Sequence, residues 1–463
     1  MNPEALAPNR TLGTGLSGLQ ISIAVCILSF AALLSIFVPP LLLLLLIPLV
    51  GSAALWLVFG YPVTVLGVVL AFMPVDFMAI ALGKFFGLPH MTLISVIDKE
   101  VLLLLLAFVL WRRNGFKPAA PDWFLLACFV LALIRTLFGG TLLNLAVDLG
   151  FILPYAVGRV AVLTAQQEHL WARCAVWIVG ILSVLGLAEV FIFGEGPRTL
   201  LYLAIDSETE GGQLTTPFHG AGLLGLREAA TMVGPNGFGA LCMIVLVLWW
   251  VYSRNPLPAG MAAVGLICSV TRNAWLGTAL VIPLLALMMQ QKKRLVLYAA
   301  LALGLFVISI PVLGLKDYLS LTKTGQDPSA EFHQDQILTG LKYDAEHPFG
   351  SGNKLSPLVA KEQSNALIFE TTYPALAAEY GIPAVLCFLG FLYISLRLVW
   401  RSKTQLGYAA VGILVAMCVV MAFTNPLVDR RLMCWAWFPI GLAVRSAISG
   451  GIPAVRRLGT QPT

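Results

Sequence analysis

The chain reads as a series of apolar runs separated by short polar junctions. A run of about 20 apolar residues crosses the roughly 30 Å hydrocarbon layer as a helix. By that criterion about fourteen spans follow one another: 18–38, 40–59, 62–82, 92–111, 122–138, 142–163, 169–193, 231–252, 258–271, 273–290, 295–313, 378–400, 406–424 and 432–448. Pro39-Pro40 divides the first two, because proline cannot continue a helix past its first turn. Two long polar stretches interrupt the pattern, at 194–230 and 314–377. The second carries Gln336, Leu338, Leu341 and Tyr343, spaced as a helix lying along the membrane or across a cavity. The expected fold is an all-α polytopic membrane protein with two long loops, the second partly helical. Its parts are N-terminal transmembrane helices (1–193), a first loop (194–230), central helices (231–313), a long loop (314–377), and C-terminal helices with a basic tail (378–463).

Composition removes the competing classes. Charged residues make up 11% of the chain and hydrophobic ones 59%, whereas a soluble domain is about 25% charged. The short alternating strands of a β-barrel are absent from the pattern. Leu16 to Val38 is too long for a signal peptide, and no small-residue cleavage site follows it. The eight cysteines lie in apolar runs without metal-type spacing. They read as small buried hydrophobes, so no disulfide, metal or cofactor is expected.

Lysine and arginine in short loops set the orientation. Arg112-Arg113 with Lys117, Lys292-Lys293-Arg294, Arg401 with Lys403, and Arg445 with Arg456-Arg457 fall on one side by span count. That side is expected to be cytoplasmic, with both termini. Both long loops then face the periplasm across the inner membrane. These clusters also explain the net charge of +6 as bilayer anchoring, which leaves nucleic-acid binding without support. Arg430-Arg431 breaks the rule by falling outside. The pair either meets Asp429 beside it or binds an anionic substrate.

The outer side collects the residues able to do chemistry. Arg227 stands at the mouth of the eighth span and Arg272 at the turn between spans nine and ten. Each either snorkels to the interface or faces an anion in a cavity. A guanidinium grips phosphate oxygens with two parallel hydrogen bonds, and a lipid diphosphate is the anion expected at that depth. Glu370 precedes the twelfth span among Ile368, Phe369 and Tyr373. It is either a solvated carboxylate or a general base whose apolar flanks raise its pKa. Glu379 and Tyr380, inside that span, read as structural. Arg135, Tyr373 and His347 are further substrate-binding candidates, although a histidine ending a helix also serves as a cap. Lys99, in Asp98-Lys99-Glu100, either pairs internally or contacts substrate. Asp76 is an intramembrane acid. Gly234-Pro235-Asn236 reads as a helix start.

The order of these elements resembles the O-antigen polymerase and ligase superfamily, which includes Wzy-type polymerases, O-antigen ligases and protein O-oligosaccharyltransferases. The resemblance rests on Arg227 and Gly-Pro-Asn, then Ser269-Val-Thr-Arg272, then a loop with His347-Pro-Phe-Gly-Ser-Gly, then Glu370-Thr-Thr-Tyr and Glu379-Tyr-Gly-Ile-Pro. It covers roughly residues 200–400 by motif. It implies metal-independent, inverting glycan transfer from an undecaprenyl-diphosphate donor to a glycan acceptor. Chain-length and export proteins are further expected partners. Ligases of this group place a histidine eleven residues before the glycine that Gly381 matches; here that position is Glu370. The departure favours a polymerase of exopolysaccharide or O-antigen repeat units over a ligase. Arg227 and Arg272 would then stabilise the leaving diphosphate, and Glu370 would take the proton of the acceptor hydroxyl. A flippase or transporter is the alternative of another class. Transporters tend to show internal repeats and broken helices near the midplane, and the sequence shows no clear repeat.

Overall fold

The computed structural model describes residues 56–75, 83, 100–140, 142–193, 230, 232, 234–291, 293–296, 299, 328–352 and 371–450. Arg227, Glu370, Lys99, Asp98, Asp76, and spans 18–38 and 295–313 lie outside the described residues, except single helical residues of the latter. Every regular element among the described residues is helical. The chain divides into Met1–Val68 and Val69–Thr463. In the first unit, Trp56 meets the ring of Tyr61 edge-on, 5.7 Å away.

The helices are α1 (Pro62–Phe72), α2 (Leu102–Asn114), α3 (Ala120–Gly139), α4 (Leu142–Asp148), α5 (Ile152–Val160), α6 (Ala165–Ala188) and α7 (Pro235–Tyr252). They continue with α8 (Pro256–Cys268), α9 (Arg272–Met288), α10 (Pro328–Glu346), α11 (Thr372–Tyr380), α12 (Ile382–Ser402), α13 (Gln405–Phe423) and α14 (Arg430–Ile448). Among the described residues, five segments are long and apolar enough to cross a membrane: α3, α6 with its π-helical extension to Phe193, α7, α12 and α13. Two expected spans are interrupted, and those at 258–271 and 273–290 are helices of only 13 and 17 residues. Span 142–163 is two helices, α4 and α5, broken after Asp148. Span 378–400 begins as the end of α11 and breaks at Gly381, whose φ of +91° no helix residue adopts. Hydropathy reads apolar length and is blind to such breaks.

α7 is the central helix. It packs against α6, α8, α9, α13 and α14, and residues from Phe238 to Tyr252 are all buried. A helix surrounded on every side is apolar all round, which is how this run reads. α14 lies against α5 with their backbones in direct approach. A Cβ on Gly158 would strike the carbonyl oxygen of Phe438, and one on Gly441 that of Tyr155. Small residues permit such crossings in a bilayer, where packing rather than hydrophobicity drives helix association. Gly158→Ala should therefore destabilise the protein by about 2–3 kcal/mol through overpacking. An unchanged thermal midpoint in detergent would contradict that contact.

One end of the bundle is fastened by a two-point ion pair. Arg159 on α5 grips Asp122 at the start of α3 through Nε to Oδ1 (2.9 Å) and Nη2 to Oδ2 (2.7 Å). Tyr155 donates to the same carboxylate at 2.9 Å, and Arg445 caps the Arg159 carbonyl at 2.9 Å. Arg445 also reaches the carbonyls of Asn114 and Gly115, and Arg294 reaches that of Ser253 after α7. With Arg401 ending α12 just before α13, the described members of all four basic clusters fall at this end.

Candidate functional site

The opposite end is built from helix starts. α7 begins at Pro235, α9 at Arg272, α11 at Thr372 and α14 at Arg430. Thr271, the residue before α9, donates from Oγ1 to the Pro235 carbonyl at 3.0 Å. Asn273 donates from Nδ2 to Thr424 Oγ1 at 3.1 Å, and Thr372 donates to the Thr424 carbonyl at 2.9 Å. Asn425 Oδ1 stands 3.3 Å from the same Thr372 hydroxyl. Gly237, one turn into α7, lies against Asp429, whose Oδ2 would be 2.6 Å from an added Cβ. Four helix N-termini therefore converge on one corner, residues 424–431. Each contributes a partial positive charge, a setting that favours an anion, and at α14 the Asp429 carboxylate already occupies that position.

The expected site residues fall around this corner as follows. Arg272 opens α9 and is exposed. Thr371 and Thr372, directly after Glu370, are buried. Tyr373 turns inward, its hydroxyl 3.4 Å from the Cys418 carbonyl. Arg430 forms an ion pair with Glu100 and also lies against Gly150. Asp429 is occupied otherwise: its carboxylate accepts from the N–H of Arg431 (3.1 Å) and Leu432 (3.3 Å), capping α14. Of the two readings of Arg430, local pairing with Asp429 is replaced by a pair across the fold. The Asp98-Lys99-Glu100 run likewise directs Glu100 to Arg430.

The two glycine-containing motifs are one unit. His347-Pro-Phe-Gly-Ser-Gly docks on the break between α11 and α12. Ser351 N–H donates to the Ala378 carbonyl (2.8 Å), Gly352 N–H to that of Glu379 (2.9 Å), and Ile382 N–H to that of Pro348 (2.9 Å). Gly350 and Gly381 have φ of +73° and +91° and face each other's backbone, so a Cβ on either would lie 2.6–2.7 Å from main-chain atoms. Arg135 on α3 donates to the Gly350 carbonyl and holds this turn in place. His347 caps α10, with its N–H on the Tyr343 carbonyl at 2.8 Å and its ring stacked on Tyr343 at 4.3 Å.

Sequence reasoning missed a buried acid cluster beside this turn. Tyr380 donates to Asp148 Oδ2 at 2.6 Å, and Glu379, the residue before it, is buried as well. Asp148 and Glu379 are 4% and 3% exposed. Asp148 ends α4 at the break; a charged residue inside an apolar run, with Gly150 two positions on, was the signal available.

α10 rests on α11 through Tyr343, which packs on Ala375 and Ala378. Asp344 beside it is buried, and its Oδ1 finds no hydrogen-bond partner among the described residues. Burial pushes its carboxyl from 3.8 up to about 6. Its folded form binds a proton more tightly than its unfolded form, so its contribution to stability is full below about pH 4 and lost as pH rises through 6. Amide exchange of α10 should therefore slow as pH falls from 6 to 4, after correction for the intrinsic rate. Asp344→Asn should abolish that dependence.

No curated protein matches the chain. Residues 257–389, from α8 through the long loop to the start of α12, match the family model described as O-antigen ligase. Together with the apolar helices, this match supports a multi-pass membrane protein of glycan-processing type. The match over residues 257–389 supports a relation to the O-antigen ligase and polymerase superfamily.

Proposed function

We propose that this protein is an inner-membrane glycosyltransferase that polymerises undecaprenyl-diphosphate-linked repeat units on the periplasmic side. The observation that carries the reading is the convergence of four helix N-termini on the 424–431 corner, with Arg272 at the head of one of them. A lipid diphosphate is the anion such a corner suits. In the proposed reaction the acceptor hydroxyl oxygen attacks the anomeric carbon of the donor sugar. The bond from that carbon to the diphosphate oxygen breaks, and the anomeric configuration inverts. Arg272 and Arg227 neutralise the charge gathering on the departing diphosphate. Glu370 takes the hydroxyl proton. The Thr372 bond to Thr424 ties the residues just after Glu370 to the helix bearing Arg272, by way of Asn273.

The family description as a ligase supports a second reading, transfer of one finished glycan to a non-repeating acceptor. Purified protein supplied with lipid-linked repeat units distinguishes the two. A polymerase yields a ladder of products spaced by one repeat. Transfer only when a different acceptor is added, in a single block, would establish the ligase reading instead.

A further inference from the structure

We propose that α6, α7 and α8 form a binding site for one anionic phospholipid, at the end of the bundle opposite the 424–431 corner. The phosphate of its headgroup enters a pocket of about 200 Å³ whose wall includes His169 and Arg173 of α6 and Arg254 between α7 and α8. That volume takes a phosphate group with several waters, since a water's share of the liquid is roughly 30 Å³. The acyl chains lie in a second, apolar groove of about 490 Å³ between α6 and α8. The site does not depend on the proposed transfer reaction.

The pocket is built on a fixed turn. α7 ends at Tyr252 and α8 begins at Pro256. Between them, Arg294 Nη2 donates to the Ser253 carbonyl at 3.1 Å and Trp249 Nε1 to that of Asn255 at 2.8 Å. Asn255 Oδ1 accepts from the Leu257 N–H at 3.1 Å and so caps α8. The Arg294 guanidinium lies over the Trp249 and Trp250 rings, 4.9 and 4.7 Å from their centroids. Its charge serves the turn, whereas Arg173 and Arg254 are exposed side chains on the pocket wall. Tyr252 is buried in the same wall and meets the His169 ring edge-on at 5.6 Å. Its hydroxyl finds no hydrogen-bond partner among the described residues, so the wall holds an unmet polar group. A phosphate offers several acceptor oxygens, enough for two guanidiniums and an imidazole N–H together. Glu168, next to His169 in the chain, is not part of the wall.

The groove continues the same helix pair. On α6, His169, Arg173, Val176, Gly180, Val184 and Leu187 recur every three or four residues, which makes one stripe along a helix. The first three line the pocket, and the last two line the groove. On α8, Pro258 belongs to the pocket, and Leu257 and Gly260 belong to the groove. A Cβ on Gly180 would lie 3.0 Å from the Pro258 carbonyl oxygen, so the two helices meet at that level. Val184 and Leu257 are exposed apolar side chains, as a lipid-facing groove requires. A cationic pocket and an apolar groove on the same helices match a phosphate headgroup with its acyl chains. Free phosphate uses only the pocket, and a zwitterionic headgroup brings its own cation to a cationic wall.

The test is native mass spectrometry of the full-length protein in neutral detergent, titrated with phosphatidylglycerol, phosphatidylcholine or inorganic phosphate. Wild type should retain one phosphatidylglycerol saturably and phosphatidylcholine more weakly. Excess inorganic phosphate should leave the bound lipid in place. The double variant Arg173→Gln, Arg254→Gln should bind phosphatidylglycerol roughly 30-fold more weakly, about fivefold for each cation lost near a membrane surface. Both side chains are exposed, so the fold should survive their loss. Gly260→Phe tests the groove separately. A Cβ at Gly260 meets nothing within 4 Å, so the ring can occupy the groove without disturbing the helices. It should weaken lipid binding while the thermal midpoint in lipid-free detergent stays unchanged. Wild-type affinity in the double variant or in Gly260→Phe would overturn the inference. Displacement of the lipid by inorganic phosphate would make this a small-anion pocket and overturn the assignment to a phospholipid.

Discussion

Glu370→Gln should lower glycan transfer by roughly 10²–10⁴-fold, the usual cost of deleting a general base. The substitution removes the basic oxygen and keeps the size and polarity of the side chain, so assembly of the membrane protein should be unaffected. Binding of the lipid-linked donor should persist as well, because the diphosphate is assigned to the arginines. Glu370→His places the residue of the ligase pattern eleven positions before Gly381, and partial activity should return. Transfer rates with wild type, Gln and His proteins, at matched membrane levels, check both statements. A Gln protein as active as wild type would remove Glu370 from the chemistry. The surroundings support its assignment: Thr371 and Thr372, directly after it, are buried, and Thr372 is bonded to the corner between α13 and α14.

Arg272→Lys should lower transfer by roughly 10²–10³-fold, as loss of one group that stabilises transition-state charge typically does. Lysine keeps the positive charge but cannot offer two parallel N–H groups to neighbouring phosphate oxygens. The loss should appear mainly in kcat if the guanidinium grips the diphosphate most strongly as it departs. The change is expected to leave the start of α9 intact. Thr271 and Asn273 on either side keep their own bonds to Pro235 and Thr424. A lysine protein with near-normal kcat would mean that Arg272 serves only as an interfacial anchor.

The sequence made the membrane character readable because apolar length leaves few alternatives. It also showed His347-Pro-Phe-Gly-Ser-Gly and Glu379-Tyr-Gly-Ile-Pro as motifs, and Gly350, Gly352 and Gly381 within them adopt positive φ. That the two motifs dock on each other was not readable. Their contact is made by backbone amides, which carry no side-chain signature. The breaks after Asp148 and at Gly381 were hidden for a related reason: the flanking residues remain apolar, so a hydropathy window runs straight through them. Glu379 looked structural because it was counted inside an unbroken span. Only the fold brings the adjoining Tyr380 to Asp148, more than two hundred residues away. Arg430 shows the same limit. Sequence offered Asp429 as the local partner, but α14 uses that carboxylate for its own N-cap and leaves Arg430 to Glu100.

The central claim is transfer of a glycan from a lipid diphosphate at the corner where α7, α9, α11 and α14 begin. The most direct measurement follows one catalytic event in nanodiscs, using purified protein and a polyprenyl-diphosphate-linked oligosaccharide labelled in both lipid and sugar. The account predicts that free polyprenyl diphosphate appears in equal amount to newly joined glycan, with inverted linkage, and that both fall together in Arg272→Lys and Glu370→Gln. Labelled donor that crosses the bilayer or remains bound with its sugar–diphosphate bond intact, equally in all three proteins, would contradict it.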